Sequence, residues 1–241
     1  MIFKDTFKTK LNDVNEKLEV KNKPLFECLE NVAARHADFA NHGIKDIPNI
    51  GTTWMLLCWQ LQVIDRPKYG DILEINTWAR GVEKCYTYRD YEIYVDGKKC
   101  AIATSKWLLI DINRARPTRV GEDVISRYEP EYGKSVFKIE DLDKLKELEE
   151  YDEKIDFRVR KSDIDINGHM HNLNYLDIVE EILSTEETKE EANFVRIDYK
   201  KEIKLGDKIE VSKKIDGSNS YFLISNQEND IIHAIVEMKN K

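Results

Sequence analysis

Residues 161–181 read KSDIDINGHMHNLNYLDIVEE, a short polar run that leads straight into a helical pattern. Asp163, Asp165, Asn167, His169 and His171 occupy every second position of the run. On an extended backbone alternate side chains share a side, so Asp165, Asn167 and His169 are expected to point the same way. A carboxylate, an amide and an imidazole together supply an acceptor, a donor-acceptor and a proton carrier. The helical pattern is carried by Leu173, Leu176, Val179, Glu180 and Leu183, with Asn172 as the expected N-cap.

Outward from this stretch, residues 154–161, KIDFRVRK, alternate as a strand does. After the helix come NFVRIDYKKEI, KIEVSKKID, SYFLISNQ and IIHAIVEMK, with turn residues at Gly206-Asp207, Asp216-Gly217 and Glu228-Asn229-Asp230. The same order stands earlier in the chain. IFKDTFKTKL near the start suits an edge strand. Leu25, Leu29, Val32, Ala33, His36 and Ala40 then recur at helical spacing, with Pro24 in the first turn and Asn41-His42-Gly43 as the stop. Four strand-like runs follow, TTWMLLCWQLQVID, DILEINTWARGVE, CYTYRDYEIYVDG and KCAIATSKWLLIDI. A helix followed by four strands thus occurs twice. The pattern predicts two α+β halves, 1–128 and 153–241, joined by a charged connector at 129–152. A long helix wrapped by an antiparallel sheet is the hotdog arrangement, and two copies make a tandem hotdog.

Composition sets the class. Of 241 residues, 41% are hydrophobic and 35% charged, which suits a soluble globular chain with a real core. No apolar run approaches the roughly 20 residues of a membrane span, and the first residues do not read as a signal peptide, so a cytoplasmic protein is expected. Cys28, Cys58, Cys85 and Cys100 are scattered without ligand spacing, which points to buried thiols rather than disulfides or zinc. The net charge of -8 makes nucleic acid an unsuitable partner. Ten acidic residues against four lysines lie between Glu129 and Glu153, so the rest is nearly neutral and has room for a basic patch.

Several side chains have two readings. Trp54 and Trp59, on a strand apolar on both faces, either line an apolar pocket or pack the core. Arg114, Arg116 and Arg119 in NRARPTR form a solvated loop or an anion-binding contact. His36, on the apolar side of its helix, reads as a core residue. Leu142, Leu145 and Leu148 suggest a short exposed helix in the connector. Residues 163–168, DIDING, also begin a calcium loop, but position twelve is Asn174 and a strand enters the run. His169 and His171 have no further ligand nearby in sequence. No metal and no cofactor is expected.

The combination of D-x-N-x-H at Asp165, Asn167 and His169 with the downstream Tyr199-Lys200-Lys201-Glu202 resembles the acyl-acyl carrier protein (acyl-ACP) thioesterases, the plastid enzymes and their bacterial relatives. The likeness extends to the helix ending at Asn41-His42-Gly43, the 54–65 strand and the loop after Trp107-Leu108-Leu109-Ile110-Asp111. It implies two hotdog domains, with catalytic residues Asp165, Asn167, His169 and Glu202 in the second half and most of the acyl pocket in the first. It also implies release of a free fatty acid from acyl-ACP. Plant members carry a cysteine after the glutamate, where this chain has Ile203, and no cysteine follows Cys100. A cysteine-linked acyl enzyme is therefore not available in this half.

Attack by water is the economical route. Glu202 is the first choice to activate the water, with His169 sharing that role. Asn167 would orient the carbonyl or the water, Asp165 would fix Asn167 and His169, and amides at the helix start near Asn172 would serve the oxyanion. The expected partners are acyl carrier protein and a second copy of the chain. The carrier is acidic, so docking would use Arg114, Arg116 and Arg119 or the lysines between 200 and 214. The alternatives are an acyl-coenzyme A thioesterase, a hydratase, or a non-catalytic acyl- or carrier-binding module on the same fold.

Overall fold

The computed structural model describes residues 1–83, 85–228 and 230–240. Asn229, in the turn expected at 228–230, lies outside them. The chain separates into two compact units, Met1–Leu142 and Asp143–Lys241.

The first unit contains strand β1 (Phe3–Lys8), helix α1 (Asn22–Phe39), a helical turn α2 (Ile47–Ile50), and strands β2 (Thr52–Val63), β3 (Ile72–Glu83), β4 (Tyr86–Val95) and β5 (Lys98–Asp111). The two-residue β6 (Arg116–Pro117) and helical turn α3 (Glu122–Ile125) follow. The sheet is antiparallel in the order β1-β3-β4-β5-β2. The second unit contains β7 (Glu153–Arg158), α4 (Asn174–Ile182), β8 (Phe194–Tyr199), β9 (Lys208–Asp216), β10 (Asn219–Asn226) and β11 (Ile232–Lys239). Its order, β7-β9-β10-β11-β8, repeats that of the first. The α+β tandem hotdog is what the chain builds.

Each helix is held by an apolar stripe. Leu25, Phe26, Leu29 and Val32 of α1 have no exposed surface, and their spacing of three and four residues keeps them on one face. Burial of each such side chain contributes about 1.5–3 kcal/mol before chain entropy is counted. Asn41, at φ 52°, ends this segment in a left-handed conformation that asparagine tolerates. In α4 the stripe is Tyr175, Leu176, Ile178, Val179 and Ile182. In β2 the register shifts between Leu56 and Cys58. That extra residue brings Trp54 and Trp59, five positions apart, to the same side of the sheet.

The connector departs from expectation. Residues 143–150 are not helical, and Leu142 is buried. The Leu145 amide donates to Asp198 Oδ2 at 2.7 Å, and an Arg196 guanidinium nitrogen donates to the Asp143 carbonyl. A leucine at every third position fits an extended strap as well as a helix, and pairing to β8 decides for the strap. Earlier in the connector, Trp78 Nε1 donates to the Lys134 carbonyl at 3.1 Å, and Lys134 Nζ meets Glu92 Oε2 at 2.8 Å.

Candidate active site

The polar run is not extended. Lys161–Asp163 form a 3-10 turn, in which buried Asp163 accepts the Arg160 amide at 2.7 Å. The next residues close a tight loop, with Asp165 N donating to His169 O at 2.7 Å and Gly168 N to Asp165 O at 3.1 Å. Gly168 sits at φ 77°, where a side chain is strained. Asp165 Oδ1 accepts the amides of Asn167 at 2.8 Å and His169 at 3.3 Å, and Oδ2 accepts Asn167 Nδ2 at 3.2 Å. Asp165 and Asn167 therefore meet because a turn folds them together, not because a pleat aligns them. Asp165 accepts a hydrogen bond from the Asn167 side chain, and it holds His169 by the backbone and not by the ring.

Asn172 is not the N-cap. His171 Nδ1 accepts the Leu173 amide at 3.3 Å and the His171 carbonyl accepts the Asn174 amide at 2.9 Å, and the helix starts at Asn174, one residue later than an Asn172 cap would give. Those two amides are thereby engaged and do not serve as the expected oxyanion donors.

Glu202 lies beyond the strand on which it was expected. Lys200 N and Lys201 N both donate to the His233 carbonyl, at 2.8 and 3.2 Å, and this bulge ends the β8 ladder at Tyr199. The chain then turns to the polar loop, where Met170 N donates to Ile203 O at 2.8 Å and His169 bridges Lys204. Those contacts bring Glu202 beside His169 across 33 residues of sequence. Ile203 is fully buried, with its carbonyl tying the two segments together.

The Glu202 side chain is 45% exposed, with Lys204 Nζ 3.7 Å from Oε1. Its own backbone N–H, and after it the charges of His169, Lys204 and Lys201, outweigh partial burial and hold the carboxyl below its ordinary value. It is a carboxylate throughout the neutral range.

Tyr199 of the quoted motif has a structural task. Its hydroxyl donates to the Asn172 carbonyl at 2.9 Å, and its ring meets Tyr175 edge-on at 5.3 Å. Tyr175 in turn donates to the Lys201 carbonyl at 3.4 Å. Two residues around Glu202 were missed from sequence, Tyr175 and His233. The second carried one visible sign, a histidine inside the apolar strand IIHAIVEMK. Both line or support the cleft bounded by Lys201, Glu202, Lys204, Lys208 and His233.

Other expected residues fall elsewhere. Trp59 is fully buried against Phe26, Tyr91 and Trp107, while Trp54 packs on His42 and donates to Tyr128 Oη at 2.9 Å. Arg114, Arg116 and Arg119 are exposed in the first unit, where Asp111 Oδ1 accepts the Asn113 and Arg114 amides and shapes the loop. Among the lysines between 200 and 214, Lys213 is buried between Glu153 and Glu187 and so is not presented for docking, while Lys214 pairs with Asp152 at 2.9 Å. His36 is a core residue, and its Nδ1 lies 2.8 Å from an Arg89 guanidinium nitrogen.

Comparison with known proteins adds the family. The acyl-ACP thioesterase N-terminal domain matches residues 1–128, and the corresponding C-terminal domain matches residues 145–240. An oleoyl-acyl carrier protein thioesterase of Arabidopsis thaliana is 24% identical over 90% of this chain and 66% of its own length. One from Coriandrum sativum is 23% identical over 86% of this chain and 61% of its own length. This chain thus spans less than two thirds of those two plant relatives. Among solved structures, an acyl-ACP thioesterase from Bacteroides thetaiotaomicron aligns with a TM-score of 0.85 at 19% identity, covering 99% of this chain and 97% of that one. The 12:0-ACP thioesterase of Umbellularia californica gives 0.87 at 17% identity, covering 99% and 96%. At these identities the structures speak for the fold.

Proposed function

The chain belongs to the acyl-ACP thioesterase family, and on that premise we propose that it hydrolyses acyl-ACP to a free fatty acid with a water held between Glu202 and His169. The observation that carries this reading is the pairing of the Glu202 segment with the His169 loop through Met170 N and Ile203 O. The water oxygen attacks the thioester carbonyl carbon. Glu202, held ionised, aligns the water and stabilises a protonated His169, which takes the proton and returns it to the departing carrier thiolate as the C–S bond breaks. Asn167, anchored on Asp165, orients the carbonyl or the water.

The acyl chain is proposed to enter the first unit, against α1 and the β2 face bearing Trp54 and Trp59. The acidic carrier is proposed to meet the exposed cations, Arg114, Arg116 and Arg119 or Lys200, Lys201, Lys204 and Lys208. A reducing, cytoplasmic setting is proposed from four cysteines that form no disulfide, and a homodimer is proposed with it.

The test is purified protein with a ladder of acyl-ACPs, scoring released fatty acid and free carrier thiol. Release that Glu202→Gln slows by roughly 10²–10⁴-fold supports the reading. No release from any acyl-ACP contradicts it. Charge reversal at the docking arginines should raise KM for acyl-ACP in low salt and leave a small acyl-coenzyme A substrate unaffected. Equal loss on both substrates contradicts a docking role.

A further inference from the structure

We propose that His233 is a positioning residue for Glu202, acting through the Lys201 carbonyl. This rests on the proposed hydrolytic role of Glu202 and His169.

The backbone at 200–203 leaves the sheet and must be held by something other than a ladder. On its C-terminal side the Ile203 carbonyl accepts the Met170 amide at 2.8 Å. On its N-terminal side His233 makes three contacts. Its carbonyl accepts the Lys200 and Lys201 amides at 2.8 and 3.2 Å, and its ring Nδ1 lies 3.2 Å from the Lys201 carbonyl. A carbonyl oxygen only accepts, so Nδ1 carries the proton in this contact. His233 is 3% exposed, so the imidazole side of this contact is shielded from competing water. Tyr175 Oη reaches the same carbonyl from α4 at 3.4 Å. Glu202 is thus the only residue between two fixed carbonyls, Lys201 on one side and Ile203 on the other. Its carboxylate also leans on its own backbone N–H, whose direction is set by the Lys201–Glu202 peptide plane that His233 holds.

A displacement of about 1 Å at a reacting group can cost on the order of 10²-fold in rate. Loss of the ring contact should therefore lower kcat without weakening acyl-ACP binding. The titratable groups around Glu202 are His169 from the loop, Tyr175 from α4, Lys201, Lys204 and Asp207 on its own segment, Lys208 from β9, Glu228 from the turn before β11 and, last, His233 from β11. All but the last stay in place when the ring is removed, so a change in the acid limb of the kcat profile reports the Glu202 geometry.

Three variants test this, His233→Ala, His233→Asn and His233→Gln, each with its thermal unfolding measured. Asparagine keeps an N–H donor at the δ position, whereas glutamine moves it to the ε position. The expected result is a kcat loss of roughly 10–10²-fold for alanine, KM within about twofold, and an acid limb moved towards higher pH. Asparagine should restore most of the rate and the wild-type limb, and glutamine should not. Wild-type kcat in His233→Ala overturns the proposal. A loss that follows only the folded fraction, with the pH profile unmoved, also overturns it, as does rescue by glutamine instead of asparagine. If the wild type releases no fatty acid, the hydrolytic reading fails, and amide exchange still reads the clamp. Lys201 and Glu202 amides should exchange faster in His233→Ala and not in His233→Asn; unchanged exchange in His233→Ala overturns the clamp itself.

Discussion

The two units build the same loop twice and arm it once. In the first, Lys10 N donates to Asp13 Oδ2 at 2.7 Å, and Asn15 Oδ1 accepts the amides of Lys17 at 3.0 Å and Glu19 at 3.1 Å. In the second, Arg160 N donates to Asp163 Oδ2 at 2.7 Å, and Asp165 Oδ1 accepts Asn167 and His169 at 2.8 and 3.3 Å. Val20 N reaches Pro67 O at 2.8 Å as Met170 N reaches Ile203 O at 2.8 Å, and Glu19 bridges Lys68 as His169 bridges Lys204. Position by position, Asn15, Lys17, Glu19 and Arg66 stand where Asp165, Asn167, His169 and Glu202 stand. Arg66 turns back onto the loop, donating to Val20 O at 2.9 Å and Asn22 Oδ1 at 3.1 Å. The side-chain-closed turn is therefore scaffold, since an asparagine closes it as well as an aspartate does. Chemistry depends on what is hung from the scaffold, and only the second copy carries an imidazole beside a carboxylate.

The largest expected effect separates the two copies. His169→Ala should slow hydrolysis by roughly 10²–10⁴-fold, whereas Glu19→Ala at the matching position should leave kcat within about twofold. Comparable losses in both, measured as steady-state release from acyl-ACP, would break the contrast.

The units also treat histidine oppositely. His169 is half-buried at a solvent-facing loop, whereas His36 has no exposed surface. Burial, and after it the Arg89 charge, lowers the His36 pKa from 6.5 to about 3. The unfolded chain therefore binds this proton first as pH falls. Stability is full above the ordinary value and is lost between pH 6.5 and about 3, by at most about 1.4 kcal/mol per pH unit from this group. Chemical denaturation across that range should show a shallower slope in His36→Gln. An unchanged slope would remove His36 from the acid sensitivity.

The smallest effect concerns the turn itself. Gly168 holds φ 77° and Leu18 holds φ 60° at the matching position. Gly168→Ala should cost about 1 kcal/mol, and Leu18→Gly should be neutral or stabilising, which corresponds to shifts of roughly 2–4 °C in Tm for each kcal/mol. Equal destabilisation by both would mean that backbone strain does not distinguish the copies.

This comparison also explains what was legible in the sequence. Two rounds of helix and four strands could be read because period and turn residues are local properties. Asp165, Asn167, His169 and Glu202 could be singled out because a motif keeps them in fixed spacing. Their arrangement could not be read. Alternation of polar residues looks the same in a strand and in an Asx-closed loop, and only the His169 O and Ile203 O contacts select the loop. Asn172 does not cap the helix because the amide two residues on, at Asn174, is taken by the His171 carbonyl and the helix starts at Asn174. The contacts of His233 and Tyr175 were illegible because they are made to a backbone carbonyl 32 and 26 residues away. The matching turn in the first unit escaped notice because Asn15, Lys17 and Glu19 share the hydrogen bonds of the second copy but not its residue types.

The most direct test is a double-mutant cycle of Glu202→Gln and His169→Ala, read by single-turnover hydrolysis of one acyl-ACP. Two groups acting on one water should be strongly non-additive, so each single variant should lose roughly 10²–10⁴-fold and the double variant little more. Near-normal turnover in Glu202→Gln, or losses that multiply in the double variant, would contradict the shared water.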